Sequence, residues 1–336
     1  MTIVELNDLI RALMQFRRFG RTNSNVSEIG YGMWGLAGWT GSDEHEVDKA
    51  LARSIELGCN FFDTAWGYGA GKSEQILGKV LREHPEKKLI AATKIPPKNF
   101  KWPSKSTYTL DECFPADHII EYTEKSLKNL NVDCIDLQQF HVWEDAWASF
   151  DEWKEAISKL KKDGKIKHIG ISVNRWEPNN VLNTLQTGLI DSVQVIYNIF
   201  DQAPIDKLFP LCRKLDIGVI ARVPFDEGTL TGTLTKQTVF PKDDWRSTYF
   251  VKRNLETSVD HADALKPLIP PVMSMAELAL KFILCNDDVD TIIPGMRKVR
   301  NVESNMATSS FDKLENSLVQ KLKEHRWDRT PTEWSQ

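Results

Sequence analysis

From about residue 26 to residue 310 the chain repeats one alternation: a short apolar run, a loop, then a segment whose apolar positions recur at helical spacing. The apolar runs read as strands at 28–32, 60–63, 89–94, 135–141, 166–172, 192–197, 218–223 and 291–294. The first intervening helix is the clearest. Val47, Ala50, Leu51, Ser54 and Ile55 fall at i, i+3, i+4, i+7 and i+8, which gathers them on one face. Asp43 with Glu46 three residues on forms a capping-box start, and Gly58 stands where a left-handed residue ends a helix. Phe150, Trp153, Ile157 and Leu160 repeat the spacing after the fourth strand, ending before Gly164. Further helices are predicted over 73–82, 117–129, 178–186, 204–214, 275–286 and 299–308.

Strand-then-helix order through a compositionally uniform stretch predicts the α/β class and a single (β/α)8 TIM barrel, whose core needs ~250 residues. No linker interrupts the 336 residues, so one domain spanning 1–336 is expected. Three additions surround the barrel. Residues 1–13 form an N-terminal extension with a helical stripe of Leu6, Leu9, Ile10 and Leu13, which makes Met14 an alternative start. A long segment, 225–271, separates the seventh strand from its helix, and 311–336 forms a tail with a helical stretch over 311–326. In a barrel the 225–271 segment lies on the C-terminal face, where active sites form.

Composition narrows the partners. Apolar residues make up 41% and charged residues 27%, the balance of an ordinary soluble globular protein. Net charge is −4 and the 43 basic residues are dispersed among 47 acidic ones, so nothing attracts nucleic acid or an anionic membrane. A small-molecule partner is expected. Five widely spaced cysteines without a C-x-x-C pair argue against a disulfide framework and for a reducing cytoplasm. No run approaches about 18 apolar residues, and Glu5 and Asp8 spoil a signal peptide, so neither anchor nor export is expected. The Asn25-Val26-Ser27 sequon is then incidental.

Two motifs imitate nucleotide-binding loops. Gly30-Tyr31-Gly32-Met33-Trp34-Gly35 fits G-x-G-x-x-G, but its third glycine opens no helix; Leu36 to Gly41 follow and helical spacing begins near Asp43. Gly69-Ala70-Gly71-Lys72-Ser73 resembles a P-loop, yet the position of the leading glycine holds Trp66. The seven histidines are scattered without H-x-H or H-E-x-x-H, so no metal is expected.

Polar residues at the C-terminal ends of barrel strands converge on one mouth. The second run ends at Asp63 and leads through Thr64-Ala65-Trp66-Gly67 to Tyr68; the third ends at Lys94; the fourth ends at His141. Singly, each has an ordinary explanation as a turn acceptor, loop aromatic, strand-end cation or half-buried imidazole. Jointly they form a proton-transfer system. A tyrosine is a poor acid near neutrality, a neighbouring ammonium stabilises its phenolate, and a buried ammonium needs a carboxylate. His141 would orient a carbonyl toward Tyr68.

With these residues the sequence resembles the aldo-keto reductase superfamily, in its bacterial-type or channel β-subunit-like branch. The likeness rests on Phe62-Asp63-Thr64-Ala65-Trp66-Gly67-Tyr68-Gly69, Thr93-Lys94, Gln139-Phe140-His141 and Ile169-Gly170-Ile171-Ser172, and runs from about Met14 to Asn305. It implies Tyr68 as general acid, tuned by Lys94 and Asp63, with His141 orienting the carbonyl and a reduced nicotinamide giving the hydride. It further implies cofactor contacts from Ser172, Gln194, Arg222, Gly295, Arg297, Asn301 and Asn305. Arg297, near the start of the eighth helix, favours the 2′-phosphate of NADP(H). Two positions depart from the pattern: Val173 replaces a common asparagine, and Arg222 stands where many members stack an aromatic ring on the nicotinamide. Trp34, Trp39, Trp66, Trp143 and Phe225 follow strand ends and are expected as pocket walls for an apolar or aromatic carbonyl, or its alcohol. The expected activity is reversible NADP(H)-dependent reduction of an aldehyde or ketone. The alternatives are a nicotinamide-binding regulatory subunit with little turnover, which such residues would also allow, and a phosphosugar isomerase barrel, which would not need them.

Overall fold

The computed structural model describes residues 14–37, 43–309 and 312–330. Residues 1–13, Trp39 and the end of the tail lie outside these. After an antiparallel hairpin of β1 (Phe16–Phe19) and β2 (Ser24–Ser27), parallel strands follow in chain order: β3 (Tyr31–Gly32), β4 (Phe61–Asp63), β5 (Ile90–Ile95), β6 (Ile135–Phe140), β7 (Ile166–Ser172), β8 (Ser192–Ile196), β9 (Gly218–Arg222) and β10 (Thr291–Ile292). Consecutive strands pair, and Ile29 and Gly32 bridge to Ile292 and Gly295 to bring the ends together. This is the expected barrel, with the predicted strands recovered to within a few residues.

The marked helix spans Glu44–Glu56, with the Asp43 carboxylate accepting from the backbone N–H of His45 and Glu46, and Gly58 at φ +94°. Lys72–Glu83 and Ala116–Leu130 extend the expected helices by one residue at each end, Asp151–Lys162 follows the predicted face, and Leu182–Gln186, Leu208–Leu215, Met275–Leu284 and Val299–Met306 are shorter than expected. Their buried faces pack on the strands and form the main core. No described helix is long and apolar enough to cross a membrane.

Three features differ from the sequence-based expectation. The 225–271 segment is not an open loop, because Lys252–Leu265 forms a helix that buries Leu255, Val259, Ala262 and Leu265. In the tail the helix is shorter, Asn316–Lys323, and beyond it Arg329 folds back to donate to Asp201 and to Asp226 at 2.7 Å. Its guanidinium sits 4.6 Å from the ring centre of Trp327 and 4.8 Å from that of Trp176. The third feature is the β1–β2 hairpin, which plugs the N-terminal end of the barrel.

Phe19 is the plug. It meets Phe61 edge-on at 5.7 Å and joins Val26, Ala92, Leu137, Ile220 and Ile293 in an apolar layer. Gly218 makes this possible, since a Cβ there would stand 2.4 Å from the Phe19 ring. Truncating Phe19 to alanine removes a full ring from a closed layer and is expected to cost about 3–5 kcal/mol. Denaturant unfolding of Phe19→Ala measures this; a loss below about 1 kcal/mol would mean the layer closes without the ring.

Candidate active site

At the opposite end of the barrel the apolar layer gives way to a polar one. Parallel register sets Lys94 of β5 beside Gln139 of β6, Gln139 beside Gly170 of β7, and Ser172 beside Gln194 of β8. Gly170 leaves the room that the Gln139 side chain fills, a Cβ there lying 3.1 Å from Gln139 Cγ. Lys94 is fully buried and Asp63 nearly so. Lys94 Nζ donates to Asp63 Oδ1 at 2.5 Å, to the Thr64 carbonyl at 2.8 Å and to the Tyr68 hydroxyl oxygen at 3.3 Å. The other Asp63 oxygen accepts from Gln194 at 2.7 Å and Gln139 at 3.1 Å.

Tyr68 reaches this layer from a tight turn. Gly71 N–H donates to the Trp66 carbonyl and Ser73 N–H to the Tyr68 carbonyl, while Ala70 adopts φ +51° between two glycines of positive φ. The Tyr68 hydroxyl accepts from Lys94 and has no acceptor of its own among the described residues, so its proton is left for the cavity. Burial pushes the Tyr68 pKa up, outweighing the downward pull of Lys94. Sequence reasoning had weighted only that pull. For Lys94, burial works against the charge, but Asp63 and Tyr68 prevail and its pKa rises. His141 lies 5.6 Å from Tyr68, ring centre to ring centre, with its Nδ1 buried and unpartnered. Burial, helped by Lys94 and Arg222, holds the imidazole well below its ordinary 6.5, so it is neutral. The four expected catalytic residues are thus brought together.

Above them opens a cavity of about 630 Å³, lined by Asp63, Tyr68 and His141 and by Ser172, Gln194, Arg222, Gly295 and Arg297. Gln194 spends its amide N–H on Asp63 and Gln139, leaving only its oxygen for a ligand. Asn301 and Asn305 sit on the Val299–Met306 helix outside the cavity walls, Asn301 exposed and Asn305 buried. Trp34 and Phe225 line the cavity as expected. Trp66 and Trp143 do not. The turn that aims Tyr68 inward sends Trp66 outward onto Tyr122, edge-on at 4.7 Å. Trp143 has left the strand end for the core, 4.8 Å from Phe140 and 5.4 Å from Trp153, its Nε1–H on Thr184 Oγ1.

Sequence reasoning missed two aromatic walls and one cation. Trp102, in the loop after β5, stands 5.6 Å from His141, and Trp245 meets Trp34 edge-on at 5.7 Å. Both could have been found by extending the strand-end rule to longer loops. Arg175 lines the cavity paired with Glu227. The loop after β9 is strained, with Val223 at φ +54°, Asp226 at +46° and Glu227 at +58°. It is pinned by Asn198 on the Val223 carbonyl, by Arg175 on Glu227 and by Arg329 on Asp226.

Residues 28–326 match the Aldo/keto reductase family. The chain is 29% identical over 310 residues to the NADH-specific methylglyoxal reductase of Escherichia coli K12, covering 87% of this chain and 93% of that protein. It is 27% identical over 315 residues to the aldo-keto reductase yakc (NADP(+)) of Schizosaccharomyces pombe, covering 90% and 89%. Among solved structures, the holo form of aldo-keto reductase AKR11C1 from Bacillus halodurans aligns with a TM-score of 0.75 at 27% identity, over 96% of this chain and 100% of that one. Because the match runs through every strand that carries the polar layer, the chain belongs to the aldo/keto reductase family.

Proposed function

We propose that the protein is a cytoplasmic NADP(H)-dependent carbonyl reductase in which Tyr68 is the general acid. The observation that carries this reading is the buried Lys94 donating at once to Asp63 and to the Tyr68 oxygen, beside a neutral His141, under an open cavity. Bound reduced nicotinamide would supply a hydride to the carbonyl carbon. The chain supplies the proton. A neutral imidazole has one N–H to offer the carbonyl oxygen, which holds it beside Tyr68. As negative charge grows on that oxygen, Tyr68 gives up its proton, and Lys94 stabilises the phenolate left behind.

The cavity fits a dinucleotide better than a small carbonyl alone. Its walls carry an unpartnered Arg222 Nε, the Gln194 oxygen, and Arg297 at the turn into the Val299–Met306 helix. Arginine at that turn supports a 2′-phosphate and hence NADP(H) over NAD(H). Trp34, Trp102, Phe225 and Trp245 suit an apolar or aromatic aldehyde or ketone. All five cysteines are free thiols, in keeping with a reducing compartment.

Tyr68→Phe keeps the ring and removes the proton donor. Turnover of an activated aromatic aldehyde is expected to fall by about 10²–10⁴ while cofactor affinity, read by fluorescence titration, stays within about threefold; equal loss of both would refute the assigned role. Burial keeps Tyr68 protonated past its ordinary 10.0, and His141 stays neutral above its ordinary 6.5. The pH profile of reductive kcat/KM is therefore expected to be flat between those values, and an inflexion near 6.5 that vanishes in His141→Asn would overturn the neutral assignment. Arg297→Ala is expected to lower the NADPH to NADH preference by about tenfold through loss of a charge-assisted phosphate contact, with an unchanged ratio in parallel kinetics as the contrary result.

A further inference from the structure

We propose that Arg222 makes the cavity discriminate between the redox forms of the nicotinamide, retaining the neutral dihydro form and rejecting the cationic oxidised form. The inference rests on the nicotinamide reading above and goes beyond it.

Arg222 ends β9, and its Nη2 donates to the Val173 carbonyl at 2.9 Å, while its Nε is buried without a partner. Among the described residues no carboxylate lies within 4.0 Å of it. Nearer cations are matched: Lys94 beneath the cavity by Asp63, and in its wall Arg175 by Glu227 and Arg246 by Asp244. Once those pairs cancel, the charge of Arg222 is left without a carboxylate partner beside the catalytic residues. Val173, directly beside it, offers only a backbone carbonyl. Burial and the neighbouring Arg175 pull its pKa down, but only to about 10, so it stays charged near neutrality. Its field reaches Tyr68 and His141, on both of which it acts electrostatically.

Those two residues fix where a carbonyl is held, so a ring that delivers hydride there stands within the same field. Transfer of the hydride to the carbonyl carbon, with the Tyr68 proton going to the oxygen, leaves a unit positive charge on the ring. Before transfer the ring is neutral and Arg222 is indifferent to it. Afterwards two cations share the cavity, a repulsion worth about one to two orders of magnitude in affinity. A phosphate contact would behave otherwise, because both redox forms carry the same phosphates.

The test is binding without carbonyl present. Dissociation constants for NADPH and NADP+ would be measured by calorimetry on wild type, Arg222→Gln and Arg222→Lys, with thermal melting to establish that each variant is folded. Wild type is expected to bind NADPH at least about tenfold more tightly. Arg222→Gln should narrow that gap by about tenfold, chiefly by tightening NADP+, and Arg222→Lys should preserve it. An unchanged gap in Arg222→Gln overturns the proposal, as does equal weakening of both forms, which would make Arg222 a phosphate ligand. If wild type binds neither dinucleotide, in either the NADP(H) or NAD(H) series, the nicotinamide reading itself fails.

Discussion

Burying the Lys94 ammonium is the constraint around which the catalytic end of this barrel is organised. Removing that charge from water costs on the order of several kcal/mol unless it is paired and its donors are used. Asp63 and the Thr64 carbonyl take two of the three N–H donors, and the third is left for the Tyr68 oxygen. Asp63 is itself out of water, so its other oxygen needs donors, and Gln139 and Gln194 provide them. These side chains come from β4, β5, β6 and β8. The charge is satisfied only when those strands are in register, which ties the chemistry of Tyr68 to completion of the fold.

The same logic explains why the two ends of the barrel differ. At the N-terminal end the interior is filled by Phe19, Phe61, Leu137 and Ile220, whose burial needs no partners beyond close packing. At the other end the layer around Lys94 is polar and its charges are paired, so it specifies its neighbours one atom at a time. Rigidity below and obligatory pairing above leave the loops as the place where the cavity acquires its shape.

Much of this was legible in the chain. Asp63, Lys94 and His141 stand at or just beyond strand ends, and short apolar runs between helical segments locate such ends well. Tyr68 was legible because only four residues separate it from Asp63, too few to carry it away from the mouth. The aromatic walls were less so. Whether Trp66 faces the cavity or packs on Tyr122 is a matter of the turn's backbone path, which residue type alone does not convey. The hairpin escaped because Phe16–Phe19 carries two arginines among its four residues and reads as polar. Arg329 escaped because its partners Asp201 and Asp226 lie 128 and 103 residues away, and such pairing leaves no local signal.

That distant pairing bears on the site. A β-branched residue at φ +54° beside two further left-handed residues is a conformation the chain would relax if left alone. Val223 follows Arg222 directly, so any relaxation of the loop would move the unmatched guanidinium relative to Tyr68 and His141. An electrostatic effect that falls with distance requires a fixed distance. The loop is accordingly held by three independent devices: a carbonyl taken by Asn198, an ion pair to Arg175, and the Arg329 guanidinium clamped between Asp201 and Asp226 with Trp176 and Trp327 against it. Through Arg329 the C-terminal tail, remote in sequence from every residue of the polar layer, helps set the geometry in which that layer works.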